Sequence, residues 1–328
     1  MKSMHLFAVF AVLLPLGSAD AAAFDAWQDP ARYEITYEVD LTAMPEGPWR
    51  LWLPTPNMSY DQHEIAARVD APLPHRVTWD DRGNRMLYFE GTGPAEGPIA
   101  AFFDMVREPS AGLPKGEIVR DSPDDPKRHL EPQKKIPLDG VIADLGRHAT
   151  KGRTGERDKI RGIYEYVVGT MRYAKEGEGW GNGDAVWACT SKYGNCTDFH
   201  SVFLGMSRSQ GVPARFVMGF PFPTDASEGV VPGYHCWAQA FEPEQGWIPL
   251  DASEAWKRKQ TDAYFGKVPS DRLAFTIGRD LVLSPPQDGA PLNYFIHPYV
   301  ERGGAAVEPP PWKLRFKRIP MRRTARSE

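Results

Sequence analysis

The sequence has few cysteines, little net charge and no long hydrophobic run. Three cysteines among 328 residues are too few to build a scaffold held together by disulfides. A formal net charge of −4 gives no basic field of the kind that binds nucleic acid, so no nucleic-acid partner is predicted. No stretch reaches the roughly 18 apolar residues of a membrane-spanning helix, so no transmembrane segment is predicted.

Glycine and proline, in contrast, are abundant. The 30 glycines and 31 prolines favour strands, turns and long loops over a helical bundle. A hydrophobic content of 41% is enough for the cores of two ordinary domains.

Residues 1–23 have the layout of a secretory signal peptide. Lys2 precedes an almost unbroken apolar run at residues 6–16, and Ala21 and Ala23 then form an A-x-A pattern. The run is too short to span a bilayer. We therefore expect cleavage after Ala23 and export to the periplasm or the extracellular space, where disulfides are permitted.

Residues 24–110 are predicted to form an antiparallel β-sandwich-like domain. Apolar and polar residues alternate in several short segments, as in half-buried strands. These segments are residues 33–39, 49–53, 75–79, 85–89 and 99–106. Residues 111–137, rich in proline and charge, are interpreted as a linker.

The remainder of the chain is predicted to be a mixed domain followed by a tail. Residues 138–308 show helical periodicity and then strand-like runs, which is typical of an α+β arrangement. Residues 309–328 are predicted to be a frayed basic tail, because seven Lys or Arg and no acidic residue lie between residues 313 and 326. The alternative role for this tail is adhesion to an anionic envelope surface.

Cys196 is placed where a thiol becomes a nucleophile. Phe199, Val202 and Met206 lie on one face of a predicted helix, and Asn195 is suited to be its N-cap, so Cys196 is the first helical residue. The unpaired amides and the helix dipole at that end favour the thiolate. The same amides can bind the oxyanion that forms when the thiolate attacks an acyl carbon.

A thiolate nucleophile needs a base, and the base needs a group that orients it. His235 lies on a predicted strand, and Asp251 ends the next one after a short turn. Antiparallel pairing of these strands would bring the imidazole and the carboxylate together. His200, one helical turn after Cys196, is the competing base.

Four separated segments resemble the transglutaminase-like superfamily, in the same order, within residues 138–256. They are Tyr193-Gly194-Asn195-Cys196, residues 211–219, His235-Cys236-Trp237 and residues 246–251. The resemblance implies a papain-like core with Cys196 as nucleophile, His235 as general base and then acid, and Asp251 as orienter. Cross-linking members use an upstream tryptophan at the oxyanion, for which Trp180, Trp187 and Asn182 are candidates here.

The other cysteines leave two alternatives open. Cys189 and Cys236 could form a disulfide after export, since Cys196 would be the catalytic thiol. Cysteines and histidines together could instead bind zinc, but adjacent His235 and Cys236 would point to opposite faces of a strand, which disfavours one shared ion. No metal or organic cofactor is predicted.

The resulting hypothesis is an exported thiol hydrolase that cleaves amide or isopeptide bonds in a protein, a peptide or a peptidoglycan fragment. An acyltransferase that passes the acyl group to an amine would use the same residues. The rival hypothesis is a binding protein whose papain-like core has lost its activity.

Overall fold

The computed structural model describes residues 24–44, 46–110 and 125–321. The predicted signal peptide lies outside the described residues, as do residues 111–124 of the predicted linker and residues 322–328 of the predicted tail. Within the described ranges, no helix is long and apolar enough to cross a membrane.

The described residues form α-helices and β-strands in the mixed order expected of an α+β protein, which confirms that prediction. The first strands are β1 (Ala31–Asp40), β2 (Pro48–Pro54), β3 (Gln62–Asp70), β4 (His75–Trp79), β5 (Arg85–Thr92) and β6 (Pro98–Arg107). Next come α1 (Gly140–Ala149), α2 (Glu156–Thr170), β7 (Arg172–Tyr173), α3 (Ala185–Ser191), β8 (Tyr193–Gly194) and α4 (Cys196–Ser209). The last elements are β9 (Ala214–Pro221), β10 (Glu228–Val230), β11 (His235–Glu242), β12 (Gly246–Leu250), α5 (Ala252–Arg258), β13 (Arg272–Ile277), β14 (Tyr299–Arg302), β15 (Ala305–Val307) and β16 (Trp312–Ile319).

Strands β1–β6, the first part of the described chain, belong to two five-stranded sheets whose neighbouring strands are antiparallel. One sheet has the order β10-β16-β1-β6-β3 and the other β15-β14-β2-β5-β4. The alternation in β1 buries Tyr33, Ile35 and Tyr37 and turns Glu34 outward. The sequence pattern did not identify β3, because this edge strand is exposed along most of its length and so lacks a buried face.

The structure of the end of the chain corrects the prediction of a frayed tail. Strand β16 pairs with β1 along the whole length of β16, with Ile35 opposite Phe316, and β14 pairs with β2. The expected frayed tail is therefore wrong for Trp312–Ile319, and the last strands lie in the sheets of the first part. Leu314 and Phe316 are buried, so the apolar alternation in this basic segment reflects a half-buried strand.

The positive charge of this strand is partly neutralised at the sheet surface. Lys313 and Arg315 form ion pairs of 2.8 and 3.0 Å with Glu38. Arg318 donates hydrogen bonds to the carbonyl oxygens of Pro223 and Thr224. These contacts remove the physical basis for a free basic segment at residues 312–319.

The second part consists of a four-stranded antiparallel sheet, β12-β11-β9-β13, and the helices beside it. Helix α4 packs on β9 and β11 and is surrounded by α1, α2, α3 and α5. This position buries nearly every residue of α4, so its first turn is held rigidly beside the sheet. The described part of the predicted linker also packs here, since Arg208 of α4 donates to Glu131 O and Gln133 Oε1.

Candidate active site

Helix α4 begins with Cys196, and its cap leaves one amide beside the thiol. Asn195 is the N-cap, with its Oδ1 2.8 Å from the amide of Thr197, and Asp198 accepts from the amide of Asn195 at 2.9 Å. The amide of Phe199 donates to Asn195 O. Among the described residues, no group accepts a hydrogen bond from the amide of Cys196, which therefore remains available to an oxyanion.

A glycine-rich loop is fastened to this helix start. The buried carboxylate of Asp198 accepts hydrogen bonds from the amides of Gly181 and Gly183, at 2.6 and 2.9 Å. The guanidinium of Arg279 also donates to Gly183 O at 3.0 Å. Because Trp180 precedes Gly181, these bonds hold that residue next to the first turn of α4.

Strands β11 and β12 bring the predicted base and its orienting group together. His235 Nε2 is 2.6 Å from Asp251 Oδ2, and both residues are buried. The other oxygen, Asp251 Oδ1, accepts from the amide of Glu254 and from Ser253 Oγ, each at 2.9 Å. Asp251 is thus the N-cap of α5, and bonds on both oxygens fix its orientation. The ring nitrogen of His235 that remains for the thiol is Nδ1.

The charges of this cluster shift the pKa values of the thiol and the imidazole in opposite directions. A hydrogen bond from Cys236 outweighs burial and, with the hydrogen bond and charge of His235, holds the pKa of Cys196 well below its usual range. Burial lowers the pKa of His235, but the charge and hydrogen bond of Asp251, followed by Cys196, raise it to about 9. Burial opposes the ionised form of Asp251 as well, yet His235 keeps the pKa of Asp251 below its usual value. Both shifts favour the thiolate–imidazolium pair over the pair of neutral side chains.

His200, the competing base, is held in its neutral form. Its Nε2 accepts the amide hydrogen of Ala252 at 3.2 Å, so the proton of the neutral ring is on Nδ1. Burial lowers the pKa of His200. Nδ1 is 3.7 Å from Cys236 Sγ, and Nε2 is 3.6 Å from Asp251 Oδ1. His200 thus packs behind the site with both ring nitrogens occupied.

The possible disulfide between Cys189 and Cys236 is absent, because all three cysteines are free thiols. Cys189 Sγ, at the partly exposed side of α3, donates to Val186 O at 3.2 Å. Cys236 is fully buried against α4, with Sγ 3.9 Å from Thr197 Oγ1. As for the zinc alternative, the described ranges contain no group of three or more His, Cys, Asp or Glu side chains suited to hold a metal ion.

The three candidates for the oxyanion differ in their contacts. Asn182 Nδ2 donates to Gly179 O, and the ring of Trp187 packs edge-to-face on Tyr193. Trp180 lies under the ammonium of Lys175, with Nζ 5.8 Å from the ring centroid. Asn182 therefore has a partner within the loop and Trp187 has one on β8, while an oxyanion role for any of the three stays a prediction.

Tyr173 was not identified from the sequence, and it lies beside the start of α4. Pairing of β7 with β8 places Tyr173 opposite Gly194, two residues before the thiol. Its ring packs between Phe199, at a centroid distance of 6.2 Å, and Lys257 Nζ, 4.6 Å from the ring centroid. Burial, and next the charge of Cys196, raise the pKa of Tyr173. Its hydroxyl is therefore protonated, and no hydrogen bond to it occurs within the described residues.

A helix-borne thiol facing an imidazole and a carboxylate on neighbouring strands defines a papain-like site. Residues 143–252 match the family model of the transglutaminase-like superfamily, which confirms the predicted resemblance for this part of the chain. An uncharacterised protein of Haemophilus influenzae is 25% identical over 352 aligned positions, covering 93% of this chain and 95% of that protein. The fold is similar to that of a cysteine protease candidate from Cytophaga hutchinsonii, with a TM-score of 0.60, 13% identity and coverage of 90% of this chain and 93% of that one.

Proposed function

We propose that this chain is an exported, thiol-dependent hydrolase of amide or isopeptide bonds in proteins, peptides or peptidoglycan fragments. The observation that carries the proposal is the buried contact of 2.6 Å between His235 Nε2 and Asp251 Oδ2, beside the helix that begins with Cys196. The pKa shifts agree with it, downward for Cys196 and upward to about 9 for His235. A nucleophile that is ionised and an acid that is protonated at the same pH are what amide cleavage requires.

In the first half of the reaction, the thiolate of Cys196 attacks the carbonyl carbon of the substrate. The carbonyl oxygen becomes an oxyanion within reach of the free amide of Cys196. The imidazolium of His235 then gives its proton to the departing amine, and the C–N bond breaks to leave a thioester on Cys196. Asp251 holds the ring in place and stabilises its positive charge.

We assign the second oxyanion donor to the hydroxyl of Tyr173. Its support is the pairing of β7 with β8, which brings the ring beside the helix start, and the lack of a partner for the hydroxyl among the described residues. A protonated phenol aimed at the developing charge can stabilise it without reorganisation.

In the second half, His235 takes a proton from water, and the hydroxide attacks the thioester. The acyl group leaves as a carboxylic acid and the thiolate is restored. A primary amine in place of water would give acyl transfer by the same steps, and exclusion of water from the site would decide between the two outcomes.

The test is release of amines from a panel of capped peptide amides and isopeptides. Wild type is compared with Cys196→Ala and with the matched control Cys189→Ala, which removes a thiol on α3. Hydrolysis lost in Cys196→Ala and retained in Cys189→Ala supports the proposal. An added labelled amine that enters the product indicates the transferase. No turnover together with ordinary reactivity of Cys196 toward iodoacetamide contradicts an activated thiol and favours a binding protein.

Export is part of the proposal and rests on the sequence of residues 1–23. The apolar run and the A-x-A pattern predict removal of this segment by a signal peptidase. N-terminal sequencing of the protein recovered from the cell envelope fraction tests it. A protein that begins at Phe24 supports export, and one that keeps Met1 in the cytoplasm contradicts it.

A further inference from the structure

Cys236 is a buried nucleophilic group that makes and breaks no bond in the proposed reaction. It lies on β11 directly after His235, and its side chain points to the helix, whereas Trp237 packs on the other face with Val217 and Val268. Cys236 Sγ is 3.9 Å from Thr197 Oγ1 and 3.7 Å from His200 Nδ1. Residues 196, 197 and 200 share the first turn of α4, so the second thiol faces the turn that carries the first.

The two thiols are neighbours at this turn. Cys236 Sγ lies 3.9 Å from the hydroxyl of Thr197, the residue directly after Cys196, and each thiol shifts the pKa of the other. Burial raises the pKa of Cys236, and the neighbouring Cys196 raises it further, so Cys236 keeps its proton while Cys196 is ionised. The site therefore contains one reactive thiolate and one reserve thiol.

We propose that Cys236 is a resolving cysteine, which forms a reversible disulfide with Cys196 when a peroxide oxidises the nucleophile. This inference rests on the proposed function in one respect, because it needs Cys196 to be an activated thiolate. It goes further by assigning an oxidative modification site to the pair. The modification turns the enzyme off and protects its sulfur from irreversible oxidation.

The chemistry balances with a peroxide as the oxidant. The Cys196 thiolate attacks one peroxide oxygen, the O–O bond breaks, and the departing hydroxide takes a proton from the His235 imidazolium, leaving Cys196 as a sulfenic acid. Cys236 sulfur then attacks Cys196 sulfur, the S–O bond breaks, and the departing hydroxide takes the proton of the Cys236 thiol. Two thiols and hydrogen peroxide thus give one disulfide and two molecules of water.

Burial dictates the order of these steps. Cys236 has no exposed surface and Cys196 is 3% exposed, so an oxidant in solution reaches Cys236 only through Cys196. Cys189 is partly exposed, and its Sγ donates to Val186 O on α3 rather than to either thiol of the pair. Cys189 therefore provides a control thiol outside the pair.

The experiment treats the folded protein with hydrogen peroxide in small excess, blocks free thiols with iodoacetamide and maps peptides by mass spectrometry. Wild type is expected to give the peptide pair that joins Cys196 to Cys236, loss of Cys196 alkylation, and its return after dithiothreitol. Cys189→Ala is expected to behave as wild type. Cys236→Ser is expected to accumulate sulfinic acid on Cys196 and not to recover.

Each variant is compared with its own untreated sample, so a change in basal reactivity does not affect the result. Sulfinic acid on Cys196 in wild type as readily as in Cys236→Ser overturns the inference, as does a disulfide to Cys189. The wild-type map needs no substitution, so misfolding of a variant cannot hide the outcome. Amide hydrolysis without the disulfide refutes this inference alone, whereas slow alkylation of Cys196 before any oxidation refutes the proposed function.

Discussion

Asp251 combines an electrostatic and a structural role in one side chain. One oxygen accepts from His235 and the other caps α5 through the amide of Glu254. The carboxylates of Glu254 and Asp271 also interact with the charge of His235, but the carboxylate that accepts its hydrogen bond is that of Asp251. The imidazolium is therefore maintained chiefly by a residue that also begins a helix.

Replacing Asp251 by Asn separates these roles, because Asn is an equally good N-cap. In wild type, amide cleavage should fall as the pH rises through about 9, the pKa of His235, since the protonated imidazole is needed for the leaving amine. In Asp251→Asn the rate should drop by ~10²–10⁴-fold, and this fall should move to lower pH because burial then dominates the pKa of His235. The pH–rate profile of amine release measures both effects, and a falling limb that stays in place contradicts the assigned role.

Tyr173 can be tested by removing one oxygen atom. Tyr173→Phe keeps the ring between Phe199 and Lys257, so stability should be nearly unchanged. If the hydroxyl is an oxyanion donor, kcat should fall by ~10²–10³-fold with little change in KM or in alkylation of Cys196. Tyr193→Phe, in the strand paired with β7, is the control and should keep full activity. Equal activity in both variants would refute the assignment.

At the scale of elements, the Asp198 carboxylate connects α4 to the loop before it. An acidic residue in the first turn of a helix ordinarily contributes ~0.5–1 kcal/mol. The structure adds two buried loop amides, from Gly181 and Gly183. A buried donor without a partner costs about 1–3 kcal/mol, so this residue contributes more than an ordinary cap.

Asp198→Ala should therefore lower the free energy of unfolding by about 3 kcal/mol or more. The matched control is Asp184→Ala, because Asp184 caps α3 through a single amide, that of Trp187, and its loss should cost ~1 kcal/mol. Urea unfolding measures both variants. Similar losses for the two would mean that the loop amides find other partners.

The sequence predicted the elements that carry a strong pattern and missed those that do not. Helix α4, strands β9, β11 and β12, and the pairing that joins His235 to Asp251 follow from local periodicity and short turns. Helices α3 and α5 are seven residues each, too short to show a period. Tyr173 was not identified because its strand has only two residues, too few to show a periodic sequence pattern. Its position depends on pairing with β8.

At the scale of the whole molecule, the first and last strands are neighbours. Residues 31–40 and 312–319 pair across almost the full length of the chain, and a single sequence contains no signal for such long-range pairing. Charge obscured the strand further, since exposed Lys and Arg alternate with Leu314 and Phe316. The two sheets that begin in the first half of the chain are therefore complete only when the last strands have paired with them.

Phe316 tests whether this closure stabilises the protein as one unit. Its ring packs on Phe222, at the end of the segment leaving β9, and on Tyr33 of β1, with centroid distances of 5.3 and 6.4 Å. Phe316→Ala should lower the free energy of unfolding by ~3–5 kcal/mol, while Lys317→Ala, its exposed neighbour, should change it by less than ~0.5 kcal/mol.

Urea unfolding followed by fluorescence and, in parallel, by protection of Cys196 from alkylation distinguishes one cooperative unit from two. Phe222 follows β9 of the catalytic sheet and also contacts β16, so we expect both midpoints to shift together in Phe316→Ala. If the fluorescence midpoint falls while protection of Cys196 stays at the wild-type midpoint, the transglutaminase-like core unfolds independently of the sheets that the two chain ends complete.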